Sequence, residues 1–196
     1  MILYGSTTSP YVRRVRIVAR MLNVPFELVD TATDDGQAQL REISPIWKVP
    51  ALKSGEQVIY DSHAVIDFLS ERHGHQTLRP SAPDDAWRER NIHTVIDGAL
   101  DSAINIFYLR KDGAPDVEYM LKQARRVQSA MAWLDRALRG PWFSDTAQIG
   151  LTEIALATTL DWMTFRNAYP VADHPALAAF SAAHSAFEPF SSTLPG

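Results

Sequence analysis

Apolar and polar positions along the chain change their period near its middle. At the start, Ile2-Leu3-Tyr4 is a short apolar run broken at Gly5, and the hydroxyl-rich Ser6-Thr7-Thr8-Ser9 follows. Pro10 then opens a stretch in which Val12, Val15, Ile17, Val18 and Leu22 recur at helical spacing. The pattern predicts strand, loop, helix. Ser9 has the chemistry of an N-cap, and Pro10 suits the first helical position, where its missing N–H is no loss. Asn23 and Pro25 mark a turn, and alternation from Phe26 to Val29 predicts a second strand. Residues 36–42 read as a weak helix. Leu52-Lys53 and Gln57 to Tyr60 read as a hairpin turning at Ser54-Gly55-Glu56. Asp61-Ser62 then caps a helix with Ala64, Val65, Phe68 and Leu69 at helical spacing, ending near Gly74.

From Gly74 to Asp85 the residues turn to Gly, His, Pro, Ser and Asp, the composition of a linker. Beyond it the strand signals stop. Helical periodicity covers Ala86 to about Arg110, Asp116 to Arg139, Leu151 to about Ala168 and Pro175 to about Phe187. Glu153 stands at the third position of a helix opened by Gly150, where its carboxylate can reach back to the cap backbone. The expected architecture is an α/β domain of order βαβαββα over residues 1–75, a linker over 76–85, and an all-α domain over 86–196. The tail Ser191 to Gly196 is expected to be poorly ordered.

Composition narrows the function. The chain has 196 residues, 46% of them hydrophobic, enough for a substantial core. A formal net charge of -4 and a pI near 5.8 argue against a general nucleic-acid binder, which needs a concentrated basic field. The densest basic cluster is Arg13, Arg14, Arg16 and Arg20, of which 13, 16 and 20 share a helical stripe and read as a solvated face. With no cysteine, disulfides, thiolate metal sites and a cysteine nucleophile are excluded. Any thiol must arrive with a ligand. No charged leader with an apolar core and no apolar run near ~18 residues is present, so a cytoplasmic protein without membrane contact is expected. The six histidines form no H-E-x-x-H or similar motif; His73 and His75, flanking Gly74, read as surface residues, and no metal is expected.

The helix start at Ser9 is the most chemically suggestive point. Its first turn directs backbone N–H groups and the positive end of the dipole into the loop, where an anion or thiolate would be stabilised. A serine hydroxyl can accept a cap bond and still donate its proton to a ligand sulfur.

These motifs occur in a telling order: STTSPYVRRVRI near the start, Lys48-Val49-Pro50, then Asp61-Ser62 and a helical second half. In this the chain resembles the cytosolic glutathione S-transferase family over nearly its whole length. It is most similar to bacterial members and to an omega-like subset whose first helix begins with Cys-Pro-aromatic. Ser9-Pro10-Tyr11 occupies those positions here. The resemblance implies a thioredoxin-like first domain with a cis bond before Pro50, and a Val49 backbone that pairs with the cysteinyl part of glutathione. It implies that Asp61 and Ser62 grip the γ-glutamyl end, although Asp61, where relatives often have Glu or Gln, would also serve as a pure N-cap. Lys48 is a secondary contact to a carboxylate of the tripeptide. Trp47 departs from the family loop, which commonly has glycine there, so either a left-handed backbone is lost or a large indole covers the ligand or packs on the second domain.

The same resemblance implies that Ser9 activates the glutathione thiol, with Thr7 and Thr8 as alternatives and Tyr4 ranked below them as a strand residue. The electrophile pocket is expected between the domains, with Tyr11, Asn105, Tyr108, Trp162 and Arg166 as candidates. Asp97 and Asp101, four apart, either reach the ligand amine or are simply solvated. The function implied is a homodimeric glutathione transferase that detoxifies small hydrophobic electrophiles. The alternatives are a non-catalytic glutathione-binding scaffold, or another glutathione-dependent reaction such as isomerisation, dehalogenation or ether cleavage.

Overall fold

A computed structural model of the chain describes residues 1–74, 78–79, 82–143 and 147–196. His75 and residues 76, 77, 80 and 81 of the expected linker lie outside the described residues. The chain forms two compact units, residues 1–76 together with 187–196, and residues 77–186.

The first unit opens with β1 (Ile2–Gly5), α1 (Pro10–Met21), β2 (Glu27–Asp30) and α2 (Asp34–Ile43). It continues with β3 (Ala51–Ser54), β4 (Gln57–Tyr60) and α3 (Ser62–His73). The order is the expected βαβαββα. The four strands lie in the order β2-β1-β3-β4, with β2 parallel to β1 and the β3–β4 hairpin antiparallel to it. Strand alternation divides the core into two layers. Tyr4 and Ala51 face Leu40 and Ile43 of α2, whereas Leu3 and Leu52 belong to the opposite face, on the side where α1 and α3 pack together. Tyr4 is thus a core residue, as its place in a strand predicts. Gly5 is required by close approach: a Cβ there would stand 2.4 Å from Cγ2 of Val12.

The last ten residues overturn two expectations. Phe187 to Gly196 belongs to the first unit, not to the helical domain, and the tail is anchored at Thr193, which is buried. A short helix, Glu188–Ser191, lies on α1, with Phe190 and Thr193 buried. The stripe read as solvated is what holds it. Arg13 is only 1% exposed; its Nε donates to Thr193 Oγ1 at 3.2 Å and its Nη2 to the Phe190 carbonyl at 3.0 Å. Arg16 donates to the Thr193 carbonyl and Arg20 pairs with Glu188, each at 3.4 Å. Burial, with Arg20 and then Arg13 alongside, holds the Arg16 guanidinium below the usual arginine range.

The second unit contains α4 (Pro83–Lys111), α5 (Glu118–Ala137), α6 (Leu151–Phe165) and α7 (Pro175–His184). Its first helix starts inside the expected linker. Pro83 takes the first helical position and Asp84 and Asp85 sit at the positive end of the dipole, so the three residues form the opening turn. The α6 helix is buried almost all round, which explains its unbroken apolar run. Its start is closed as expected: the buried Glu153 accepts from the backbone N–H of Gly150 at 3.0 Å and of Phe143 at 3.1 Å. Asp135 of α5 caps α7 in turn, accepting from the N–H groups of Ala176 and Leu177 at 2.9 and 3.2 Å. Among the described residues, no helix is long and apolar enough to cross a membrane.

If the buried arginine holds the C-terminal segment, Arg13→Met should lower unfolding stability by about 3 kcal/mol, since it leaves two buried acceptors short of a charged donor. Thr193→Val should lower it by about 1 kcal/mol. Thermal denaturation measures both; melting points equal to wild type would show that the segment is not held this way.

Candidate functional site

Three loops meet at one end of the sheet because of its register. Tyr4, Ala51 and Tyr60 pair side by side across β1, β3 and β4. The chain leaves β1 there through Ser6 to Ser9, enters β3 there from Pro50, and leaves β4 there into Asp61. Antiparallel pairing of β3 with its neighbours brings an incoming loop beside two outgoing ones.

In the first loop, Ser9 is the N-cap of α1: its backbone is extended at φ -78 and ψ 124, and its Oγ accepts from the Val12 N–H at 3.3 Å. That bond uses an acceptor lone pair and leaves the O–H to donate. The neighbouring hydroxyls are engaged elsewhere. Ser6 and Thr8 bond to each other at 3.0 Å, and Thr7 donates to the Gly196 carbonyl at 2.5 Å.

In the second loop the Val49-Pro50 bond is cis, as the family likeness implies. Pro50 is buried, Val49 packs beside the Tyr4, Leu40 and Ala51 cluster, and Lys48 is exposed. Trp47 keeps the left-handed backbone that a glycine would favour, at φ 52. Its indole is 62% exposed with the Arg41 guanidinium 5.4 Å from the ring centroid. The tryptophan therefore preserves the turn and adds an aromatic face to the surface beside Lys48.

In the third loop Asp61 is the N-cap of α3, and its Oδ1 accepts from the Ala64 N–H at 3.0 Å. Its backbone sits at φ 62 and ψ 163, a region that is almost exclusive to glycine and costs of order 1–3 kcal/mol. Such strain persists where surrounding structure imposes it, and it clusters at ligand sites. Ser62, the first helical residue, is buried.

The five expected pocket residues belong to α1 of the first unit and to α4 and α6 of the second. Tyr11 of α1 is half-buried with the Arg14 guanidinium 5.0 Å from its ring centroid. On α4, Asn105 and Tyr108 are exposed; Asp101 is exposed too, and Asp97 is half-buried. Trp162 is only 4% exposed and belongs to the core of the helical unit rather than to an open wall, because α6 is buried on nearly every side. Arg166 is the C-cap of α6 and lies over two phenyl rings, Phe107 and Phe165. Phe107, absent from the expected set, links these residues: it meets Tyr108 edge-on at 5.3 Å and Trp162 at 5.7 Å. The only sequence signal for it was its place next to Tyr108 on a long helix.

Comparison with known proteins adds an independent line. The family model of the glutathione S-transferase N-terminal domain matches residues 3–78, and that of the C-terminal domain matches residues 85–183. The uncharacterized GST-like protein YibF of Escherichia coli K12 is 25% identical over 176 residues, covering 87% of this chain and 85% of its own. A probable maleylacetoacetate isomerase of Caenorhabditis elegans is 32% identical over 111 residues, covering 56% of this chain and 52% of its own. A crystal structure of a glutathione S-transferase from Methylobacterium radiotolerans, in complex with glutathione sulfonate, superposes with a TM-score of 0.87 at 26% identity, over 99% of this chain and 94% of that one. On two domain matches that span most of its length, the chain belongs to the glutathione S-transferase family.

Proposed function

We propose that this chain binds glutathione across the loop end of its sheet and joins the glutathione sulfur to small hydrophobic electrophiles, with Ser9 activating the thiol. The carrying observation is the convergence of the Ser9 cap, the loop that enters β3 through Val49 and Pro50, and the strained Asp61 at that one end. Strands lie about 4.8 Å apart, so β1 and β4, with β3 between them, are separated by about 10 Å. An extended tripeptide spans about the same distance. The Val49 backbone suits the peptide as an added strand, and Asp61 and Ser62 suit its γ-glutamyl end, with Lys48 close to a carboxylate. Because the thiolate is the nucleophile, a hydroxyl donor at the positive end of α1 supports its formation at neutral pH. In the reaction on an aryl halide, the sulfur–carbon bond forms, the carbon–halogen bond breaks, the halide leaves with the bonding pair and the thiol proton passes to water.

Within the helical unit, Asn105, Tyr108 and Arg166 are proposed to receive the electrophile, with Trp162 as backing behind Phe107. Likeness to a probable maleylacetoacetate isomerase favours a second reading, in which the same thiolate adds to a conjugated double bond and departs again after rotation. Product analysis separates the two. The protein is further proposed to be a cytoplasmic homodimer. A surface groove of about 380 Å³ on α4 and α5, lined by Val95, Gly98, Arg126, Ala130 and the 41% exposed Trp133, offers an apolar face for that contact.

With an aromatic halide as electrophile, Ser9→Ala should lose roughly tenfold or more in turnover at similar glutathione affinity, equivalent to ~1.4 kcal/mol of transition-state stabilisation. Wild-type binding without turnover of electrophiles would favour a scaffold, and no binding by calorimetry would end the glutathione reading. Asp61→Gly relieves the strained backbone at the expense of a carboxylate, and glycine keeps most of the capping stability. It should leave unfolding stability unchanged or raise it by up to about 1 kcal/mol while glutathione affinity falls about tenfold. Unaltered affinity in the variant would remove Asp61 from the binding site.

A further inference from the structure

The helical unit contains a cation with no polar partner among the described residues. Arg166 closes α6 at φ -90 and ψ -1, with its guanidinium carbon 4.7 Å from the Phe165 ring centroid and 5.4 Å from that of Phe107. Its Nε is sealed from solvent and makes no hydrogen bond among the described residues, and none of the ion pairs found among them involves Arg166. A lone arginine at a helix C-terminus is often explained by the dipole alone. Such an arginine keeps its donors in water. Here one donor has been taken out of water and given no acceptor, which costs free energy, and the terminal nitrogens, which are not among the sealed atoms, remain for an incoming acceptor.

The surroundings indicate what kind of acceptor fits. Phe165 is 44% and Tyr108 51% exposed, and Phe107 lies between Tyr108 and Trp162, in edge contact with both. Lys111 adds a second cation, with its Nζ 5.9 Å from the Tyr108 ring centroid. Aromatic faces hold a guanidinium plane in one orientation, and the planar fork matches a carboxylate with two parallel hydrogen bonds. A flat apolar body would stack on exposed rings beside it.

We propose that Arg166, held against Phe107 and Phe165, is a carboxylate receptor, so that among small hydrophobic electrophiles the chain prefers aromatic ones that carry a carboxylate. The inference deepens, and rests on, the reading of this chain as a glutathione-dependent enzyme whose helical unit receives the second substrate. Arg166 would bind and orient that substrate through its carboxylate, and selectivity for anions over neutral analogues would reside in this one side chain.

Two measurements on the full chain separate the inference from its basis. Calorimetric titration with dinitrobenzoate, an unreactive probe, should give binding that weakens at least tenfold in Arg166→Gln and that falls with added salt. Equal affinity in wild type and variant would overturn the receptor. Turnover with glutathione is then compared for a chlorodinitrobenzene and its carboxylate-bearing counterpart, a chlorodinitrobenzoate. In each, sulfur replaces chloride on the ring carbon and chloride leaves with the bonding pair. The anionic-to-neutral ratio of kcat/KM should fall about tenfold in Arg166→Gln, through KM for the benzoate, whereas a merely structural role would lower both substrates together and leave the ratio unchanged. Turnover of neither substrate by wild type, with arginine-dependent binding intact, would defeat the transferase reading and leave the receptor standing. Should Arg166→Gln fail to fold, Arg166→Lys keeps the charge and loses the fork; binding at wild-type strength in that variant would equally overturn the carboxylate receptor.

Discussion

The hydrogen-bonded register that sets Tyr4, Ala51 and Tyr60 side by side is the constraint on which the candidate site depends. A slip of one residue in β3 would turn Ala51 out of the cluster with Tyr4 and Leu40 and send Leu52 into it, exchanging the two buried faces. It would also move Pro50 relative to Ser9 and Asp61. Burial on both sides of the sheet therefore does more than stabilise it: the packing that rejects a slipped register also keeps three loops at one end. A ligand whose recognition elements are spread along a peptide needs such placement, because several loops must reach it at once.

Around that sheet, charge is used in unlike ways. Arg13 is buried and satisfied by acceptors from the end of the chain, so its role is to join distant segments of one unit. Arg166 is held by aromatic faces and lacks an acceptor among the described residues. The first arrangement is complete as it stands. The second leaves a buried donor unsatisfied, and this difference in hydrogen-bond satisfaction, not the shared guanidinium chemistry, separates a structural arginine from the proposed receptor.

Backbone strain at Asp61 and Trp47 follows a related logic. Both have positive φ without being glycine, and both lie in the loops that border the proposed glutathione site. At Asp61 the side chain caps α3, so a glycine would relax the backbone and lose the carboxylate. At Trp47 the indole under Arg41 adds surface that glycine could not. In each case the side chain retained at an unfavourable backbone position is one that a peptide ligand could use.

The element order, the Ser9 cap, the α6 capping carboxylate and the two-part architecture were legible in the sequence, because each depends on neighbours within a few residues or on a period of two or 3.6. Motif order extended this to the family and to the cis Pro50. The tertiary structure alone decided the rest. Arg13 read as a solvated stripe because its partner Thr193 lies 180 residues away, and nothing in a helix's own periodicity announces what will cover it. Trp162 read as a pocket wall although α6 is enclosed on nearly every side, and Phe107 was missed because its role arises from contact with a helix more than fifty residues later. Local chemistry determines which elements form and where they begin; which charge is buried, which ring is exposed and which donor lacks an acceptor are settled only when distant segments pack.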